Sequence, residues 1–230
     1  MPTSDSADIK TAANPLQVPG LPEPNILLPS NYISLSISCP GYKSSKSAAP
    51  DHILKKSHHH QITSTPMIPK KIIPQPGQES VWDYPRPPRL EDSAKHVQII
   101  FNGIAIADSR NAKRVLETSH PPVYYIPPAD VKMEYLQPTT RSTFCEWKGQ
   151  AGYYTIAVGD KTAPYAAWFY PQPTPGFIGI KDYIAFYPSM MDACYLDEEQ
   201  VQPQPGDFYG GWITKDIVGP FKGGTGTWGW

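Results

Sequence analysis

Twenty-five of the 27 aromatic residues lie after Gln78, all six tryptophans among them. Only Tyr32 and Tyr42 precede it. Large aromatic side chains supply much of the buried area of a core, so this asymmetry fixes where a folded domain can form. Residues 1–78 also hold 12 of the 28 prolines, interspersed with small polar residues. Such a segment cannot bury enough apolar surface to offset its conformational entropy, and a disordered tail is expected there. Residues 79–230 are long enough for one sizeable core. Within them, 79–92 reads as an extended strap, 95–203 as a sheet core, and 204–230 as a Gly- and Trp-rich wrap.

Charge divides along the same line. The first 78 residues carry seven lysines and four acids, a net +3, and the remainder 13 basic and 17 acidic residues, a net −4. A mildly acidic domain lacks the clustered Lys and Arg that draw a polyanion, so no nucleic-acid partner is expected. No stretch approaches the roughly 20 apolar residues of a membrane span, and no membrane partner is expected. Asp5 and Asp8 stand where a secretory signal would carry basic residues, and no apolar run follows. Three cysteines without C-x-x-C spacing indicate neither a zinc site nor a disulfide framework. These features together point to a cytoplasmic protein. Lys55-Lys56-Ser57-His58-His59-His60 reads as a solvated basic run.

The domain reads as mainly β. Val97–Phe101 alternates, Asn102-Gly103 is a two-residue hairpin signal, and Ile104–Ala107 returns. Further strands are expected at 113–117, 123–126, 132–136, 166–170, 183–187 and 194–196, with another at Val201. Single helical turns are expected at 128–131 and 175–180. In E-S-V-W-D-Y-P-R-P-P-R (79–89) the prolines favour a polyproline-like course. Trp82 and Tyr84 would anchor it, and Arg86 and Arg89 could hold an anion bidentately or simply sit on the surface.

The segment 139–158, T-T-R-S-T-F-C-E-W-K-G-Q-A-G-Y-Y-T-I-A-V, brings a thiol, a carboxylate, an indole and an ammonium together. As a regular strand, 143–148 would put Phe144, Glu146 and Lys148 on one face and Cys145 and Trp147 on the other. Gly149 and Gly152 would bracket the turn. Glu146 and Lys148 would tune each other in a cleft, or form a solvated ion pair worth about 0–1 kcal/mol. Cys145 reads either as a nucleophile or as a small buried hydrophobe. His120 is the histidine placed to serve as its base. Glu117, Ser119 and His120 invite a triad reading, but neighbours in a loop rarely meet in triad geometry. Lys222-Gly223-Gly224-Thr225-Gly226 lacks the spacing of a phosphate-binding loop.

In chain order, the segments E-S-V-W-D-Y-P-R-P-P-R, V-L-E-T-S-H-P-P-V-Y-Y-I-P-P-A-D-V, F-C-E-W-K-G, A-A-W-F-Y-P, I-A-F-Y-P and F-Y-G-G-W-I-T resemble the family catalogued as domain of unknown function 427. The resemblance covers residues 79–230. It implies a single compact antiparallel β domain, a small barrel or tent of folded sheets with one or two short helices. Its C-x-x-K-G motif falls on Cys145, Lys148 and Gly149, its W-x-Y on Trp168 and Tyr170, and its glutamate-bearing strand on Glu117. Asp197-Glu198-Glu199 departs from it, since relatives carry a glycine in that turn. The family is sometimes labelled nucleotidyltransferase-like, but no Gly-Ser turn with paired aspartates is present to hold magnesium and a triphosphate.

The function expected from residues and resemblance is a small-molecule pocket without metal or cofactor. Glu117, His120, Cys145 and Lys148 are the candidate catalytic groups, acting by acid–base or nucleophilic chemistry. Arg86, Trp147, Tyr154, Trp168, Tyr170 and Tyr187 are the candidate ligand contacts. The competing expectations are a non-catalytic binding or scaffold module, with the aromatics as plain core, and the nucleotidyltransferase-like activity of the label.

Overall fold

The computed structural model describes residues 70–206, 208–227 and 230. The expected disordered tail, with its Lys- and His-rich run, lies outside the described residues up to Pro69.

The Asn102-Gly103 hairpin joins Val97–Phe101 to Ile104–Ser109. Both turn residues have positive φ, 49° and 71°, as the turn matching the twist of a two-residue hairpin requires. Val97, Ile99 and Phe101 alternate inward and are fully buried. Ala193–Leu196 pairs antiparallel on the other side of Val97–Phe101, and Glu199–Gln200 completes this four-stranded sheet. Asp197 and Glu198 between the last two strands have φ of 48° and 70°. The turn therefore keeps a left-handed conformation that glycine would adopt without strain.

The second four-stranded sheet runs Leu136–Cys145, Gly149–Val158, Lys161–Phe169 and Ala185–Phe186, with every pair antiparallel. Here the structure corrects the expected hairpin. Cys145 pairs with Gly149, so the turn is Glu146-Trp147-Lys148 and the two glycines belong to the returning strand. Gly149 has φ +96°, and a Cβ there would press on the Gln172 carbonyl at 3.3 Å. A three-residue loop closed by a left-handed glycine explains the register. Phe144, Glu146 and Lys148 consequently share no strand face.

A three-stranded sheet is made of Arg89–Asp92, Lys113–Leu116 and Val123–Tyr125. The expected strand at 132–136 is instead a 3-10 turn, Met133–Tyr135, feeding the long strand at Leu136. Pro128–Asp130, Pro175–Ile180 and Pro188–Met190 are also 3-10 turns, each with a proline in its first positions. The sheets are open and close into no barrel.

The strap departs from a polyproline course. Glu79–Ser80 pairs in parallel with Ile217–Val218, after which residues 81–87 form turns and bends. Its anchors hold as expected. Tyr84 is buried and its hydroxyl donates to Glu79 at 2.7 Å, while Trp82 Nε1 donates to the Pro220 carbonyl at 2.9 Å. Arg114 binds both carboxylate oxygens of Glu79, at 3.0 and 3.1 Å, tying the strap to the three-stranded sheet.

Besides a small cluster of Val81, Tyr84, Leu116 and Ile217 under the strap, two larger packed clusters result. One is mainly aliphatic and includes Val97, Ile99, Ile106, Ile126, Ile156, Val158, Ile184 and Leu196. The other is largely aromatic and includes Tyr125, Tyr153, Trp168, Tyr170 and Phe177. The second sheet stands between them. In Gly149–Val158, Ala151 and Tyr153 face the aromatic side, and Ile156 and Val158 the aliphatic side. In Lys161–Phe169 and its continuation, Ala167 and Phe169 point one way while Trp168 and Tyr170 point the other. The run A-A-W-F-Y is apolar throughout because both its faces are covered.

Candidate functional site

The aromatic cluster does not close completely. It surrounds a cavity of about 420 Å³, open on one side. Three pieces of chain meet there: the segment 117–125, the 143–148 turn with Tyr153, and the end of the Trp168 strand with Tyr170. Residues 208–210 and Lys222 complete the rim.

The walls are rings. Trp168 and Tyr187 lie 4.5 Å apart between centroids, and Tyr125 is 6.3 Å from both Trp168 and Tyr170. The backbone of Gly210 lies against the Trp168 indole so closely that a Cβ would collide with the ring. Burial raises the pKa of the Tyr125, Tyr170 and Tyr187 hydroxyls. They remain neutral donors at physiological pH. The Tyr153 hydroxyl is 2.8 Å from Thr143 Oγ1, which fixes that ring at the mouth.

Lys148 reaches the floor. The turn that carries it is pinned by Thr174, whose backbone N–H donates to the Lys148 carbonyl at 3.2 Å and whose hydroxyl donates to the Trp147 carbonyl. The ammonium lies over the Tyr170 and Phe177 rings at 5.9 and 5.8 Å, a cation–π arrangement. Burial opposes its charge, but Tyr125, Cys145 and Glu117 favour it more, and the net pKa is raised. It therefore stays an ammonium at neutral pH. Cys145 is half-buried beside it and unpaired, whereas Cys194 is sealed in the aliphatic cluster, where burial pushes its thiol far up.

His120 is buried at the cavity's edge, its ring edge-on to Tyr209 at 4.7 Å. Its pKa is lowered, chiefly by burial and further by Lys222 and Arg86, against the opposing pull of Glu117. Nδ1 lies 3.0 Å from the Thr118 carbonyl. A carbonyl only accepts, so Nδ1 carries the proton and Nε2 of the neutral ring keeps its lone pair. Glu117 pairs with Arg86 at 3.4 Å, and Arg86 also donates to the Thr118 carbonyl at 3.2 Å. Ser119 takes no part in a triad. Its residue is fully buried at φ 71° and its Oγ has no hydrogen-bond partner.

Glu117, His120, Cys145, Lys148, Arg86, Trp147, Trp168, Tyr170 and Tyr187 thus all border one hollow. Tyr154 does not. It packs on Phe169 at 4.8 Å, against the aliphatic cluster. It follows Tyr153 in a strand, so the two rings must point to opposite faces. Tyr153 is the residue of the pair that borders the cavity, and its shared parity with Ala151 was the signal. Tyr125, Arg141, Phe208, Tyr209 and Lys222 also border it without having been singled out from sequence.

Residues 89–197 match the family model described as Domain of unknown function (DUF427). The DUF427 segment takes in the cavity's floor and most of its walls. Arg86 and the rim contributed by Phe208, Tyr209, Gly210 and Lys222 fall outside it, so the match is narrower than the resemblance read over 79–230. No curated protein matches the chain. The family's short label refers to NTP transfer, while its description names no function. Among the described residues no three His, Cys, Asp or Glu side chains are grouped to hold a metal ion, and no helix is long and apolar enough to cross a membrane.

Proposed function

We propose that the hollow of the DUF427 segment is a small-molecule site, and that the polar groups around it perform acid–base or nucleophilic chemistry. One observation carries the reading. A thiol, an ammonium, a carboxylate and a neutral imidazole, from two separate stretches of chain, border a single aromatic-walled cavity of about 420 Å³. That volume suits a small ligand, and apolar walls with a few convergent polar groups are the usual form of such a site. In this reading Nε2 of His120 accepts a proton. Lys148 stabilises developing negative charge. Cys145, beside the ammonium, is the nucleophile if a covalent step occurs.

A thermal-shift screen of a metabolite library on the full chain tests this. The library includes nucleoside triphosphates with and without magnesium, which probes the activity implied by the family's label. A ligand of the hollow raises the melting temperature of the wild-type chain, and that shift shrinks in Lys148→Ala or Cys145→Ser. Shifts left intact in both variants remove these residues from the site. A library with no hits leaves the aromatic cluster as plain core and favours an interaction module.

A further inference from the structure

The cavity's charges are unequal. Arg86, Arg141, Lys148 and Lys222 border it, against Glu117 and Glu146. Arg86 is met by Glu117, and Arg141 is held between the Tyr153 and Tyr165 rings at 4.8 and 4.9 Å. Lys222 donates to the Trp230 carbonyl at 2.8 Å, which leaves Lys148. It lies on the floor over two rings, and among the described residues no carboxylate forms an ion pair with it. Removing an ammonium from water without a counter-charge is costly. Rings on one side of the cation offset only part of that cost, since a cation–π contact is worth about 0.5–2 kcal/mol. The open side of Lys148 faces the cavity, where the neighbouring tyrosine hydroxyls are donors rather than acids.

We infer that the hollow takes a small planar organic carboxylate, its carboxyl group seated on the Lys148 ammonium and the Tyr125 and Tyr170 hydroxyls, its flat body lying against the wall that the paired Trp168 and Tyr187 rings form. The inference rests on the reading of the hollow as a ligand site and adds the ligand's chemical class. Three features favour this class. Glu117, the acid that favours the Lys148 charge, is engaged by Arg86, so the floor ammonium has room for a single negative group. The hydroxyl donors beside it complete a carboxylate's hydrogen bonds. The walls are aromatic faces, which suit a ring. A carboxylate held this way takes up Lys148 and lies in the same cavity as Nε2 of His120 and the Cys145 thiol, so chemistry on the ligand's body falls to those two groups.

The test is calorimetric titration of the full chain with benzoate and indole-3-carboxylate, and with their neutral amides, benzamide and indole-3-carboxamide. The acids and amides share size and shape, so the comparison isolates charge. A charge-assisted hydrogen bond predicts that each acid binds about tenfold more tightly than its amide or better. Lys148→Met, which keeps the chain length of the side chain, abolishes the preference and brings acid and amide within about twofold of each other. Lys148→Arg retains part of it. Thermal denaturation of each variant verifies that it is folded. Acid and amide binding equally to the wild-type chain overturns the carboxylate assignment and leaves the ligand site standing. A preference that survives in Lys148→Met also overturns it, because the anchor then lies elsewhere. Absence of binding by all four compounds overturns the assignment as well, and if the wider library also gives no hits the ligand site falls with it.

Discussion

The two faces of the second sheet make the most instructive contrast in the molecule. On one side Ile156, Val158, Ala163 and Ala167 pack into a buried, mainly aliphatic core. On the other, Ala151, Tyr153, Trp168 and Tyr170 surround an open hollow with charges at its floor and rim. The same two strands supply both. One face is optimised for burial, and the other leaves space, a lone ammonium and a thiol where packing alone would favour aliphatic side chains. Proteins commonly give up stability at sites that serve function, and the contrast gives that generality residue-level content.

Substitutions on either side should separate the two roles. The largest expected effect is on the sealed side. Ile156→Ala removes a fully buried side chain and is expected to cost about 2–5 kcal/mol of stability, read by urea denaturation, with little change in ligand preference. A loss below about 1 kcal/mol would mean that the core is less tightly packed than described.

Next is Gly210→Ala at the hollow. Its new methyl group collides with the Trp168 ring, and overpacking of this kind costs about 1–3 kcal/mol. Unlike the core change, it also weakens binding of any ligand stacked on Trp168, measured by calorimetry on the folded variant. Unchanged affinity would detach Trp168 from the site.

A pH experiment comes third. The folded His120 takes a proton less readily than the ordinary histidine value of 6.5. As pH falls below 6.5 the unfolded chain is protonated first, so the stability contributed by the neutral ring, complete above 6.5, is lost as pH descends through the lower folded value. The slope of unfolding free energy against pH should therefore flatten in His120→Gln over that window, by at most about 1.4 kcal/mol per pH unit. An identical slope in both proteins would place His120 in contact with water.

The smallest effect is at the mouth. Phe144 is 79% exposed, and Phe144→Ser should change stability by less than about 0.5 kcal/mol. A larger loss would show that the ring covers the hollow more fully than its exposure indicates.

Much of this contrast was legible beforehand, for identifiable reasons. Asn102-Gly103 named its hairpin because only left-handed residues fit that turn. A-A-W-F-Y reads as a strand from its β-prone apolar residues, and it is one. The hairpin at 146–148 was misread because glycine can either start or end a turn, and only the φ of Gly149 distinguishes them. The observed turn begins three residues before the expected one, which takes Lys148 off a strand face and puts it at the cavity floor. Tyr154 is a candidate contact from sequence, but strand alternation from Ala151 turns Tyr153, not Tyr154, toward the hollow. Residues 132–136 were read as a strand from apolar content, whereas Met133–Tyr135 turns the chain to begin the long strand at Leu136. The segment from Phe208 to Lys222 reads as a wrap, but its place at the cavity rim comes from long-range folding and has no local periodicity to announce it.

The account's central claim is that small molecules enter the hollow between Trp168 and Lys148. Backbone amide chemical shifts, followed in two-dimensional spectra while benzoate is titrated into the full chain, test it most directly. Perturbations are expected at residues 117–125, 143–153, 168–170, 187 and 208–211. Perturbations gathered on the aliphatic side around 97–109, or none at saturating benzoate, would contradict it.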